Sequence, residues 1–306
     1  MTLTRPLAVS LIGLSALAAC VDDGSAEVED AVAELGSRCQ ATRLEPGVFS
    51  TDADEGRLVF SADGRHAYFH RTVDAGLRIL ESHRSHGVWS EPALVSFSSG
   101  HDEFDPFITL DGRTIYYTSF QPVPGAPTPR GDGDIWKVER TGSGWSAPIH
   151  VAEVNSEFNE FFPSTSLDGT LYFNSDRPGG PGAWDLYSAR PRRGGFRAPQ
   201  PLAGAVNTEI WEFNPSPSPG GTLLAFASLD PDPAAPYSDI FFALRLGGEY
   251  SPGVNAGRCV NTELEEYHPT LDLARARLVF VRRDPFNPVT EGDFYEVRLP
   301  DSFRLD

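Results

Sequence analysis

The sequence predicts an all-β protein, a β-propeller of four-stranded antiparallel blades, five in the simplest count with six as the alternative, closed into a ring by an N-terminal strand. Three observations lead there. A Glu, aromatic, any residue, Pro block recurs as Glu103-Phe104-Asp105-Pro106, Glu160-Phe161-Phe162-Pro163, Glu212-Phe213-Asn214-Pro215 and Glu266-Tyr267-His268-Pro269, with a degenerate copy from Glu55. The copies lie about 50 residues apart, the period of one propeller blade. Each copy carries the same later landmarks, so the chain repeats one supersecondary unit.

The third copy shows the unit most clearly. Phe161 to Ser166 alternates as a strand, Asp168-Gly169 signals a tight turn, and Thr170 to Asn174 is a second strand. Asp185-Leu186-Tyr187 opens a third, and Phe196 begins a fourth that ends near Leu202. The turn recurs at Asp63-Gly64, Asp111-Gly112 and Gly220-Gly221, and is lost at Leu273-Ala274. A sheet with two apolar faces cannot shield both from water alone, so the blades must stack until the ring closes. Arg43-Leu44-Glu45-Pro46 stands 11 residues before Glu55, much as Leu202 stands 10 before Glu212. This segment reads as a fourth strand displaced from its blade, ready to pair with the short C-terminal one.

Residues 1–19 have the build of a secretory signal, one basic residue (Arg5) and then the apolar run Leu7 to Ala19, too short to cross a bilayer as a helix. The run ends at Leu17-Ala18-Ala19-Cys20, which resembles the lipobox of bacterial lipoproteins. That resemblance implies lipid on Cys20 and anchoring in the cell envelope, with Val21 after the cysteine pointing to the outer membrane. The alternative is an ordinary signal peptide with an incidental cysteine. Residues 20–37 are acidic and Ala-rich, with Val28, Val32 and Leu35 at helical spacing, and are expected to be a tether whose work is reach. The propeller is expected over 38–306.

The remaining cysteines, Cys39 and Cys259, either pair across a very long loop or stay as two buried thiols. Without the leader's Arg5, 24 basic residues face 43 acidic ones, a net charge of −19. This charge argues against nucleic acid as a partner, and the membrane is expected to be reached only through the lipid. Lys137 is the only lysine, and there is no phosphate-binding loop, GxSxG elbow or HExxH pair. No cofactor or metal is expected. His66 and His70 are four apart on a strand, about 13 Å along one face; His83 and His86 flank a turn; and Asp132-Gly133-Asp134 lacks EF-hand spacing.

The repeats resemble the TolB-type, WD40-like propeller family of bacterial envelope proteins over about residues 50–300, most closely at Phe162-Pro163-Ser164-Thr165-Ser166-Leu167-Asp168-Gly169, Leu171-Tyr172-Phe173 and Ser175-Asp176-Arg177-Pro178-Gly179-Gly180. The resemblance implies a propeller with a periplasmic or surface location that binds protein or glycan at its central channel; the chain is expected to be a monomer whose partner is an envelope protein, peptide or glycan. It implies no single activity.

In a ring of repeats, sameness marks joints and difference marks function. The recurring Glu55, Glu103, Glu160, Glu212 and Glu266 are expected to be a structural ring, accepting hydrogen bonds between blades. Asn155-Ser156, Asn207-Thr208 and Asn261-Thr262 read as loop scaffolding. Two residues beyond each Glu stand Arg57, Asp105, Phe162, Asn214 and His268. By period-two alternation they share a side, and their mixed chemistry suits an asymmetric ligand, with His101 and Trp211 on the same rim. The function expected is noncatalytic binding or scaffolding. The alternative is a glycan-active enzyme using Asp105 with Glu103 or Glu160, which requires carboxyls about 5–5.5 Å apart, or about 6.5–9.5 Å for inversion.

Overall fold

A computed structural model describes residues 24–74, 76–229, 237–286 and 292–303. The expected leader and Cys20 lie outside these residues, as does most of the Pro-rich segment that starts at Asp230. The architecture is a five-bladed propeller of antiparallel blades. Each blade runs outward from the axis in chain order, for example Glu160–Thr165, Leu171–Ser175, Asp185–Ala189 and Gln200–Pro201. In three blades the outermost strand is broken into two short pieces, such as Val88–Trp89 and Ala93–Leu94, both paired to Gly76–Ser85.

The fifth blade supplies only three strands of its own, Glu265–Asp272, Arg277–Arg283 and Asp293–Arg298. Its fourth is Thr42–Arg43, with Thr42 opposite Glu296 and Arg43 opposite Tyr295. This pairing closes the ring at five and removes the sixth blade that sequence had left open.

Five apolar clusters follow the five blade junctions. The first and second blades share Tyr68, Ile79, Ile108, Tyr117 and Trp136, and the fifth and first share Leu44, Phe69, Leu80, Val279, Val281 and Phe294. The seam is thus packed like the other junctions, each buried aliphatic or Phe side chain contributing roughly 1.5–3 kcal/mol. The Asp-Gly turns form as expected. Asp63, Asp111 and Asp168 each accept from a hydroxyl two residues earlier and from the amide two residues later, and the glycines take φ of 68 to 81°. In the fifth blade a 3-10 turn, Leu273–Arg275, replaces this device.

The N-terminal segment departs from the tether reading. Ser25–Arg38 is a helix whose Val28, Ala31 and Leu35 are buried against Leu244, Ala256, Val260 and Phe303, at the junction of blades four and five. It runs through Gly36 and ends at Cys39, which is bonded to Cys259 with their Cα atoms 5.8 Å apart. The helix therefore belongs to the propeller body, and any reach must come from residues before 24. Ala in place of Gly36, where a Cβ meets nothing, is expected to stabilise the protein by about 0.5–1 kcal/mol in urea unfolding, because it restricts the unfolded chain.

Candidate functional site at the propeller axis

The innermost strand of every blade breaks its ladder at the same point. Pairing skips between Gly56 and Val59, Phe104 and Phe107, Phe161 and Ser164, Phe213 and Ser216, and Tyr267 and Thr270. In each bulge one residue takes left-handed backbone: Arg57 (φ 43°), Asp105 (52°), Phe162 (57°), Asn214 (55°) and His268 (52°). Non-glycine residues pay about 1 kcal/mol or more for this conformation, and such strain concentrates at functional positions. The proline after each bulge in blades two to five fits a strand edge where a ladder donor is not needed. The alternation argument is corrected here. The bulge, not period two, separates the repeated Glu from the variable residue two positions on.

The five glutamates are consumed by joints. Each is 0 or 1% exposed and accepts from a residue four positions earlier, in the loop arriving from the previous blade. Ser156 donates to Glu160 through its amide (2.9 Å) and hydroxyl (2.6 Å), Thr262 does the same to Glu266 (3.0 and 2.6 Å), and Thr51 and Thr208 repeat the pattern at Glu55 and Glu212. At Glu103 the donors are the Ser98 hydroxyl and the Ser99 amide, both 2.7 Å. Arg71, Arg177 and Arg282 add ion pairs to Glu55, Glu160 and Glu266. The asparagines beside these hydroxyls do more than shape loops. Asn155, Asn207 and Asn261 each take both the amide and carbonyl of a third-strand residue in the preceding blade, Ile135, Leu186 and Ile240. Ser50 makes the same clasp to Phe294 across the seam.

The variable residues instead converge on the axis. Asp105, Arg57 and Asn214 are fully buried and His268 nearly so. His268 Nδ1 lies 3.3 Å from Asp105 Oδ1 and accepts from Asn214 Nδ2 at 3.0 Å, while Asn214 Oδ1 accepts the His268 amide at 3.2 Å. This two-point contact orients the Asn214 amide and leaves the imidazole proton on Nε2. The Phe162 ring packs against His268 with centroids 5.4 Å apart. Arg57 reaches the Pro215 carbonyl (3.3 Å) and lies over the Phe107 ring, but its Nε and Nη1 and both Asp105 carboxylate oxygens have no hydrogen-bond partner among the described residues. Burial lowers the Arg57 guanidinium to about 10 against the pull of Asp105. Burial also lowers His268 to about 3, against Asp105 and helped by His70 and Arg57, so its ring is neutral.

One axial residue was not foreseen. His70, on the second strand of blade one, places Nδ1 3.2 Å from Asp105 Oδ1 and accepts the Asp105 amide at 3.1 Å. Its ring occupies the space opened by Gly56, the residue opposite it in the ladder. The available signal was the glycine standing where the other four copies carry an aromatic. A Cβ on Gly56 would come within 2.2 Å of two His70 ring atoms. Gly56→Ala is therefore expected to cost about 1–3 kcal/mol by overpacking, read as a lowered urea midpoint, and to expel His70 from the axis.

His101 and Trp211 do not join this cluster. His101 is half-buried in the loop before blade two, where its carbonyl accepts from Arg78 at 3.0 Å, and Trp211 starts the inner strand of blade four, opposite Leu229. Nor does the geometry supply the catalytic alternative with free groups: Glu103 and Glu160 are committed to their joints and Asp105 is sealed from solvent. His83 meets His66 across the strands, Nδ1 to Nδ1 at 2.9 Å, instead of His86. Arg130 neutralises both Asp132 and Asp134.

The class these features define is a closed five-bladed propeller with a buried polar axis. The sequence matches no known protein family and no curated protein. Solved structures similar in fold include the arabinanase Arb43A of Bacillus subtilis (TM-score 0.53, 12% identity, 85% of this chain and 97% of that one). An endo-arabinase from Bacteroides thetaiotaomicron scores 0.52 at 14% identity, covering 83 and 98%. TolB from Acinetobacter baumannii scores 0.48 at 11% identity, with 80% of this chain matching 56% of that one. At these identities the likeness concerns the fold alone.

Proposed function

We propose that this chain is a noncatalytic binding propeller of the cell envelope, anchored through lipid on Cys20, that engages a protein, peptide or cell-wall glycan at the mouth of its axis. One observation carries the reading: the carboxylates repeated in every blade are spent on joints, while the side chains that differ between blades meet at one point. A ring evolved only for rigidity has no use for five unlike, strained residues at its centre. Phe162, with His268 beside it and His70 packed on the His268 ring, is the part of this set nearest solvent and supplies an apolar platform next to polar groups, the usual make-up of a binding site.

The test is capture of envelope components and a cell-wall glycan panel by the purified full chain, with turnover assayed in parallel. Phe162→Ala is expected to weaken capture tenfold or more while leaving the melting temperature within a few degrees. Unchanged capture would remove the axis from the proposal, and release of glycan products would replace binding with catalysis.

A further inference from the structure

We infer that His70, Asp105 and His268 form a site for one divalent transition-metal ion of the zinc class at the propeller axis. The inference rests on the axial reading above and names what the buried part of that site holds. It departs from the expectation, drawn from sequence, that the chain takes no metal.

The first argument is geometric. One ligand atom from each of the three residues lies within 4.8 Å of the others. The two imidazole Nδ1 atoms stand 3.2 and 3.3 Å from the same carboxylate oxygen. Ligands at about 2.1 Å from a zinc ion are about 3.4 Å apart when tetrahedral and about 3.0 Å apart at an octahedral right angle. The two imidazole-to-carboxylate separations fall between these values, so neither of those distances has to change much to seat an ion.

The second argument is one of polarity. Both Nδ1 atoms accept N–H groups, His70 from the Asp105 amide and His268 from Asn214, so neither carries the ring proton, and an arriving ion would take over the lone pairs that these two donors now hold. Asp105 is 0% exposed, its two oxygens accept no hydrogen bond among the described residues, and Arg57 stops short of ion-pair distance. Three electron-rich groups thus converge in a water-poor space whose neighbouring cation, Arg57, acts on Asp105 and His268 without contacting the carboxylate, an arrangement that a cation seated between the three would complete. Neutral imidazole with Nδ1 unprotonated is also the form that ligates metal, so loading displaces no ring proton.

The donor set selects the ion. Two imidazoles and one carboxylate suit zinc, iron, cobalt, nickel or copper, whereas calcium and magnesium prefer all-oxygen shells. Three protein ligands leave at least one position open. His70 and His268 keep slight solvent contact, with 9 and 8% of their side chains exposed, so a partner's donor group would have to enter along their edges.

The experiment uses the full chain stripped with a chelator, then titrated with Zn2+ by calorimetry and with Co2+ by visible absorption. His83→Gln serves as the background, because the exposed His66–His83 pair is a second place for a metal. Expected are one zinc per chain, a rise of several degrees in melting temperature, d–d bands of a nitrogen and oxygen site with Co2+, and no response to Ca2+ or Mg2+. Asp105→Asn and His70→Gln are expected to weaken Zn2+ at least tenfold to a hundredfold. If either variant fails to fold, the Co2+ spectrum of the His83→Gln chain decides. Absence of saturable zinc in that background, or equal affinity after Asp105→Asn, overturns the inference. A chain that takes no metal yet loses capture on Phe162→Ala overturns the metal alone; one that binds zinc but captures no partner overturns the binding reading alone.

Discussion

Replacing Cys39 and Cys259 together with Ser is expected to lower stability by about 5 kcal/mol, the largest effect of any change proposed for this protein. The bond joins residues 220 apart in sequence, so its loss returns a very long loop to the unfolded ensemble. In the folded state it ties the end of helix Ser25–Arg38 to the loop between blades four and five, just before the closing strand Thr42–Arg43. The check is the urea midpoint of oxidised wild type against the double variant. A loss below about 1 kcal/mol would mean that the helix and seam are held by their apolar contacts, with Val28, Ala31 and Leu35 doing the work assigned to the cross-link.

Glu266→Gln is expected to destabilise the protein by about 3–5 kcal/mol, whereas Glu212→Gln is expected to be nearly neutral near pH 5 and stabilising near pH 8. The two carboxylates occupy equivalent joints and bind equivalent threonines, but Glu266 is paired to Arg282, which is itself largely buried, whereas Glu212 has no arginine partner among the described residues. Removing one member of a buried pair leaves the other charge uncompensated. Removing the Glu212 charge leaves nothing stranded, since Gln can accept the Thr208 amide and donate to its hydroxyl. Burial pushes the Glu212 and Glu55 carboxyls up to about 7. A raised carboxyl pKa means that the folded chain holds the proton more tightly than the unfolded chain. The resulting stabilisation is complete below the ordinary value of 4.5 and is lost as pH rises to about 7. Glu212→Gln should recover up to about 3 kcal/mol of that loss at pH 8 and flatten the slope of stability between pH 5 and 7. Equal effects for the two variants at both pH values would show that the joints do not depend on charge pairing.

Much of this was readable before any fold was known, because a propeller uses the same joint at every junction and so writes it into the sequence repeatedly. Glu160 and Ser156, or Glu266 and Thr262, recur at constant spacing since each must bring a loop hydroxyl to a carboxylate in the same geometry. The displaced strand at Arg43 was legible for a related reason: a blade missing its last strand leaves an open edge, and the chain must supply one. His101 and Trp211 were misplaced because nearness in sequence to a ring glutamate says nothing about which way a loop turns. The helix Ser25–Arg38 was underestimated because its narrow apolar stripe suits a free spacer as well as a docked element.

Repetition in the chain alone determined the blade, the closing strand and the set of unlike residues at Arg57, Asp105, Phe162, Asn214 and His268, because those depend on local pattern and chemical type. Tertiary structure decided that the ring closes at five, that the left-handed bulges turn these side chains to one axis, and that His70 enters the space left by Gly56 to meet Asp105 and His268. The physical reason is that a contact between blades one, two and five is set by backbone torsions and the curvature of the closed ring, which no pattern within a single blade encodes.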